Sequence, residues 1–170
     1  MRRLFLLRHA KSSWDDPELR DEDRPLAPRG RRAMNVVAKH LERAGVVPAL
    51  VLCSPARRTR ETLDRIAPAL GEDVAVQIDD ELYAASERDL LERLRAVEDS
   101  VESVMLIGHN PGVELLALTL AGSGKKRAAI QRKYPTGALA TLEFEGGWSE
   151  LRPGCAKLTD FVTPKQLAKR

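Results

Sequence analysis

The amino-acid sequence predicts an α/β fold, a three-layer α/β/α sandwich built on a mainly parallel central sheet. Three observations predict it. Short apolar runs alternate along the chain with segments of helical periodicity, the pattern of repeated strand–helix units with helices on both sheet faces. Aromatic residues make up 4% of the chain and hydrophobic residues as a whole 43%, so Leu, Val, Ile and Ala must build the core, which suits layered packing better than an all-β sandwich. At 170 residues the chain is long enough to bury one substantial core and reads as a single domain spanning 1–170.

The first strand is Leu4 to Leu7, an unbroken apolar run of the kind buried on both faces of a parallel sheet. It stops at Arg8-His9, a cation beside a nucleophile, and that pair fits either a solvated strand end or an anion site. Lys11 to Arg29 is a long polar loop whose acidic residues can pair with Arg20 and Arg24. Ala33, Met34, Val37, Leu41 and Ala44 then recur at helical spacing, and Gly45 stops the helix. His40, in this helix, reads as a solvated residue with no catalytic role. Ala49 to Cys53 is a second buried strand, with Cys53 a small buried hydrophobe. Ser54-Pro55 reads as the cap and first residue of a helix whose stripe is Leu63, Ile66, Ala67 and Leu70.

Val74 to Ile78 alternates like a half-buried strand near a sheet edge. Ser86 to Asp89 resembles a capping box opening a third helix. Ser103 to Ile107 is another buried strand, and Gly108-His109-Asn110-Pro111-Gly112 follows it, with Asn110 as cap and Pro111 as the start of a fourth helix. Gly122 to Lys133 reads as a basic surface connection; a docking patch for an acidic partner is the less simple alternative. Ala140 to Glu145 alternates as a late strand, Lys157 to Phe161 adds an edge segment, and the tail from Thr163 forms a short helix.

Composition narrows the function. A net charge of +3 is mildly basic and suits anionic substrates. Scarce aromatics and the lack of a recognisable binding motif speak against nucleic acid. Neither a signal peptide nor an apolar span of about 18 residues is read in the sequence, so a cytoplasmic protein without a membrane partner is expected. Topology then gathers the chemistry. In open parallel sheets, ligands bind outside the carboxyl ends of the strands. Arg8-His9, Ser54 to Arg58 and Gly108-His109 each follow a strand, so all three lie on one sheet edge, two of them leading into helix N-termini that favour anions. Two histidines and at least two arginines there describe a phosphate cradle with a nucleophile in it. Two distant histidines fall short of a metal ligand set, so neither metal nor cofactor is expected.

Leu7-Arg8-His9-Ala10, Ser54 through Thr62 and Gly108-His109-Asn110-Pro111-Gly112 together resemble the histidine phosphatase superfamily, with its phosphoglycerate-mutase-like fold. The Gly-His-Asn-Pro-Gly run and Pro135-Thr136-Gly137-Ala138 look most like its phosphohistidine phosphatase branch. The resemblance implies that His9 is a nucleophile phosphorylated in turnover, that Arg8 and His109 bind phosphate, and that the second arginine is Arg58, in register with Ser54 and Thr62, while Arg57 points elsewhere. Ser54, Lys11 and Asn110 are the expected substrate-binding residues. Two departures stand out. Ala10 replaces a frequent glycine, and Ala84 occupies the position where many members carry a glutamate acting as general acid; Asp79, Asp80 and Glu81 lie near it but do not match. The implied activity is metal-independent hydrolysis of phosphohistidine on proteins. The alternatives are hydrolysis of small phosphomonoesters such as sugar phosphates, and a non-catalytic phosphate-binding module. The oligomeric state is not readable.

Overall fold

The structure, a computed structural model, describes residues 1–170. A six-stranded sheet with order β3-β2-β4-β1-β5-β6 forms its centre. The strands are β1 (Arg2–Arg8), β2 (Leu50–Cys53), β3 (Ala75–Ile78), β4 (Ser103–Gly108), β5 (Leu139–Phe144) and β6 (Lys157–Val162). β3, β2, β4 and β1 run parallel, while β5 is antiparallel to both β1 and β6. The helices are α1 (Pro28–Arg43), α2 (Arg57–Ile66), α3 (Glu87–Arg95), α4 (Gly112–Leu120), α5 (Lys125–Arg132) and α6 (Pro164–Ala168).

Strand alternation makes the layers. Successive side chains leave opposite faces of a strand, and in β1 Leu4 and Leu6 enter a core with α3, α4 and α5, whereas Phe5 and Leu7 enter a second core with α1 and α2. β4 divides the same way, Val104 and Leu106 against Met105 and Ile107. Two cores on one sheet are the three-layer sandwich that the alternating pattern predicts. No helix is long and apolar enough to cross a membrane.

Several local expectations need correction. α2 begins at Arg57 with Ala56 as its cap residue, so Ser54-Pro55 is a turn ahead of the helix. Pro111 is the cap residue of α4, not its first helical residue. Gly122 to Lys133 is mostly the helix α5, with Ile130 its buried residue. A single apolar anchor leaves no stripe for periodicity to find, although Lys, Ala, Gln and Arg are all good helix formers. β3 does form the sheet edge but is exposed along its length. His40 is half-buried rather than solvated, at the amino-terminal end of the parallel strands in a cleft of about 380 Å³ that also contains Arg3, Glu143 and Asp160. The capping box of Ser86 and Asp89 forms as expected.

Candidate active site

Sheet register alone brings the two histidines together. Arg8 of β1 is paired with Gly108 of β4, so the next residue on each strand, His9 and His109, emerges beside the other. The ladder runs one step further: the His9 N–H donates to the Gly108 carbonyl and the Ser54 N–H to the Ile107 carbonyl, each at 3.1 Å. The rings of His9 and His109 lie 5.3 Å apart, centroid to centroid. The Ser54 hydroxyl, fully buried, meets His109 Nε2 at 2.7 Å. Thr59 fastens the turn ahead of α2, its hydroxyl lying 2.8 Å from the carbonyls of Ser54 and Ala56, and the Ser54 hydroxyl also accepts the Ala56 N–H at 3.4 Å.

Alternation also splits the two arginines between the layers. Arg8 leaves β1 toward α4 and the segment after α5, where its Nη1 donates to the Tyr134 carbonyl at 2.8 Å. The Asn110 amide donates to the same carbonyl at 3.2 Å, and the Asn110 side-chain oxygen accepts the Glu114 N–H, which stitches the start of α4 to the site wall. On the other layer Arg58 projects from α2 and is 6% exposed. Arg57, one residue earlier, has its side chain 48% exposed and paired with Glu61. Of the two neighbours, Arg58 is the one in the cluster.

His9 is held in one tautomer. Its Nδ1 lies 2.7 Å from its neighbour Ala10's carbonyl oxygen, and a carbonyl can only accept, so Nδ1 carries the proton and Nε2 the lone pair. The Ala10 N–H is fixed in turn by the hydroxyl of Thr62, at 3.0 Å, and that hydroxyl donates to the Arg58 carbonyl at 2.7 Å. Burial pushes the His9 imidazole down to about 3, with the charges of His109, Arg58 and Arg8 acting in the same direction against the Ala10 hydrogen bond. Burial likewise pushes His109 down to about 4. Both rings are therefore neutral at neutral pH. Arg8 Nε and His109 Nδ1 are buried without a hydrogen-bond partner.

Three contributors were not read from the sequence. Asp21, in the long loop, takes Arg58 Nη1 on its carbonyl at 2.7 Å and Nη2 on its carboxylate at 2.9 Å. Tyr83 donates its hydroxyl to the same carboxylate at 2.5 Å and packs edge-on against His109. The Tyr83 hydrogen bond first, then Arg58, holds Asp21 down at about 2. Tyr134 is buried, its hydroxyl donating to the Leu6 carbonyl. The expected pairing within the loop occurs as well: Arg24 meets Asp21 and Arg20 meets Glu22. The position singled out for a missing acid, Ala84, is exposed with φ of 56°. Asp79 pairs with Arg93 at 2.6 Å, and Asp80 and Glu81 are exposed. Lys11 is exposed and its side chain bonds to none of these groups; its backbone anchors α1, where a Cβ on Gly30 would stand 2.2 Å from the Lys11 carbonyl oxygen. No group of three or more His, Cys, Asp or Glu is arranged to hold a metal ion.

A doubly wound sheet with two histidines and two arginines at its carboxyl edge makes this an α/β protein with a cationic cluster at the strand ends. The chain belongs to the histidine phosphatase superfamily (branch 1), whose sequence profile matches residues 4–92. An uncharacterised protein of Mycobacterium tuberculosis is 37% identical over 163 residues, covering 94% of this chain and 100% of the relative. Among solved structures, a provisionally assigned phosphohistidine phosphatase SixA of Nakamurella multipartitia is 30% identical with a TM-score of 0.82, the alignment covering 96% of both chains. The provisionally assigned SixA of Agrobacterium tumefaciens is 32% identical with a TM-score of 0.81, covering 96% of this chain and 99% of the other. The phosphoglycerate-mutase-like fold expected from the sequence is thus the fold observed.

Proposed function

We propose that this phosphatase hydrolyses phosphohistidine on proteins, with His9 as nucleophile. His9 Nε2 attacks phosphorus in line; the Nε2–P bond forms as the bond from phosphorus to the substrate imidazole breaks. The leaving imidazole departs neutral once its other ring nitrogen has taken a proton from solvent. Water then attacks the phosphoryl group on His9, the Nε2–P bond breaks, and inorganic phosphate leaves. Arg8, Arg58, His109 and Ser54 face the three oxygens on which negative charge spreads during transfer, and Asn110 steadies the Arg8 side of the cradle. The unpartnered donor of Arg8, its Nε, favours the same reading. A buried donor without a partner costs about 1–3 kcal/mol, and a phosphate oxygen would relieve that cost. No step uses a metal ion, so excess chelator is expected to leave the rate unchanged.

One observation carries the choice of substrate. The carboxylate bound into the cluster, Asp21, is held ionised by Tyr83 and Arg58 and is therefore a poor proton donor, while the position of the family's acid is Ala84. Without a donor, the leaving group must depart unaided. Imidazole, with an ordinary pKa near 6.5, does so readily; a phenolate near 10 is poorer and an alkoxide worse. General acid catalysis typically supplies about 10²- to 10⁴-fold, and alkyl phosphates should lose a factor of that order. The test is a series of aryl phosphates of graded phenol pKa, measured where phosphorylation of His9 limits the rate, beside a phosphohistidine peptide and a sugar phosphate. The reading expects a steep fall with rising pKa and fast turnover of the peptide. A flat series with competent sugar-phosphate turnover would overturn it.

A further inference from the structure

Between Glu114 and Glu143 the chain contains no Asp or Glu, yet it carries Lys125, Lys126, Arg127, Arg132 and Lys133. All five lie on or directly after α5. Arg127 is occupied with the Leu118 carbonyl, which braces α5 against α4. The other four are exposed, and none forms an ion pair. What sets these residues apart is clustering: no acidic residue lies among them, whereas Arg57 has Glu61, Arg20 has Glu22 and Arg3 has Glu143 as partners. The unpaired cations are also ordered. Residues seven apart nearly eclipse after two helical turns, so Lys125 lies above Arg132 in a row about 10 Å long, with Lys126 beside its upper end and Lys133 leaving the helix in extended backbone at its lower end. The Lys125–Arg132 row lies on the side of α5 away from Ile130, which is buried in the core; Lys126, one turn before Ile130, flanks the buried face. The lower end of the row leads into Tyr134, whose carbonyl holds Arg8 and Asn110, and Gly137 beyond it donates its N–H to the carbonyls of Arg8 and His9. The cationic helix therefore runs outward from the rim of the histidine site.

We infer that the exposed face of α5 is the docking track for an acidic surface on the phosphohistidine-bearing protein, placing the phosphorylated side chain over His9. This rests on the phosphohistidine reading above. Protein is the occupant the site favours: the cluster offers no exposed aromatic platform on α5 for stacking bases, whereas a row of lysine and arginine complements a helix or strand carrying Asp and Glu and speeds encounter. An extended chain advances about 3.3 Å per residue, so acidic residues roughly three to eight positions from the phosphohistidine would reach the row.

The experiment uses two synthetic phosphohistidine peptides, one flanked on both sides by acidic residues at those positions and one by serine and glycine, with wild-type protein and the double variant Lys125→Glu/Lys126→Glu. At low salt the acid-flanked peptide is expected to show about tenfold higher kcat/KM than the neutral one. The advantage should vanish in the variant and at about 0.5 M salt, while p-nitrophenyl phosphate turnover is the same in both proteins. Binding of a fluorescent, unphosphorylated copy of the acidic peptide, read by anisotropy, separates this inference from the catalytic one. If wild type binds it and the variant does not, docking stands even where phosphohistidine is not hydrolysed. Equal binding by both proteins, or tighter binding of a single-stranded oligonucleotide of the same charge, would overturn it.

Discussion

Thr62→Val tests whether the Thr62 hydroxyl sets the geometry of the His9 turn. Thr62 and Ala10 are both fully buried, and valine keeps the branched shape while deleting the oxygen that accepts the Ala10 N–H. The Arg58 carbonyl merely loses one of its donors, but the Ala10 amide is left buried without an acceptor. Such an orphan costs about 1–3 kcal/mol. For a chain of this size each kcal/mol lowers Tm by about 2–4 °C, so a fall of roughly 2–12 °C is expected. The same amide belongs to the peptide that fixes the His9–Ala10 turn, and a misplacement near 1 Å of a reacting group can cost about a hundredfold; kcat for an aryl phosphate should therefore fall by more than tenfold. Thermal melts by circular dichroism, paired with steady-state kinetics, read both effects, and Thr62→Ser should restore both. A Thr62→Val protein that melts and turns over like wild type would refute the reasoning.

Arg58→Ala should lose far more activity than Arg57→Ala, because only Arg58 is buried beside the histidines; the reverse ranking in kcat/KM would remove Arg58 from the cradle. Stability should fall as pH drops from about 6.5 toward 4. Over that window the unfolded chain protonates His9 and His109 while the folded protein, with the two pushed down to about 3 and 4, does not, so the unfolded state binds more protons and gains. Each histidine then costs up to about 2 kcal/mol at pH 5. Urea unfolding at pH 7, 6 and 5 measures the slope, which should be shallower in His9→Asn; a flat profile would mean that the rings are not buried as neutral groups.

Much of the site was legible because sheet topology converts strand ends into neighbours. Arg8, His9, Ser54 and His109 each stand at or just past the carboxyl end of an apolar run, and parallel pairing brings such ends together whatever their separation in sequence. Arg58 was chosen over Arg57 through the resemblance, in register with Ser54 and Thr62, and it and Thr62 do share the buried face of α2. Asp21, Tyr83 and Tyr134 were not legible. Each reaches the cluster through an irregular segment, where no period relates sequence position to direction. Ser54 was misread as a cap because the serine-proline pair fits a helix start; the helix begins three residues later, and the Ser54 hydroxyl reaches both the Ala56 N–H and His109. Lys11, expected among the substrate-binding residues, lies three residues past the end of β1, where its backbone packs against Gly30.

The central claim is that His9 Nε2 takes the phosphoryl group. Rapid acid-free quenching of the protein with a ³²P-labelled phosphohistidine peptide, followed by peptide mapping, tests it most directly. The account predicts label on His9 that is stable to alkali and lost in acid, as a phosphoramidate is, and no label on His9→Ala whose fold circular dichroism shows to be intact. Label that survives in His9→Ala, or an alkali-labile phosphate on Ser54, would contradict it.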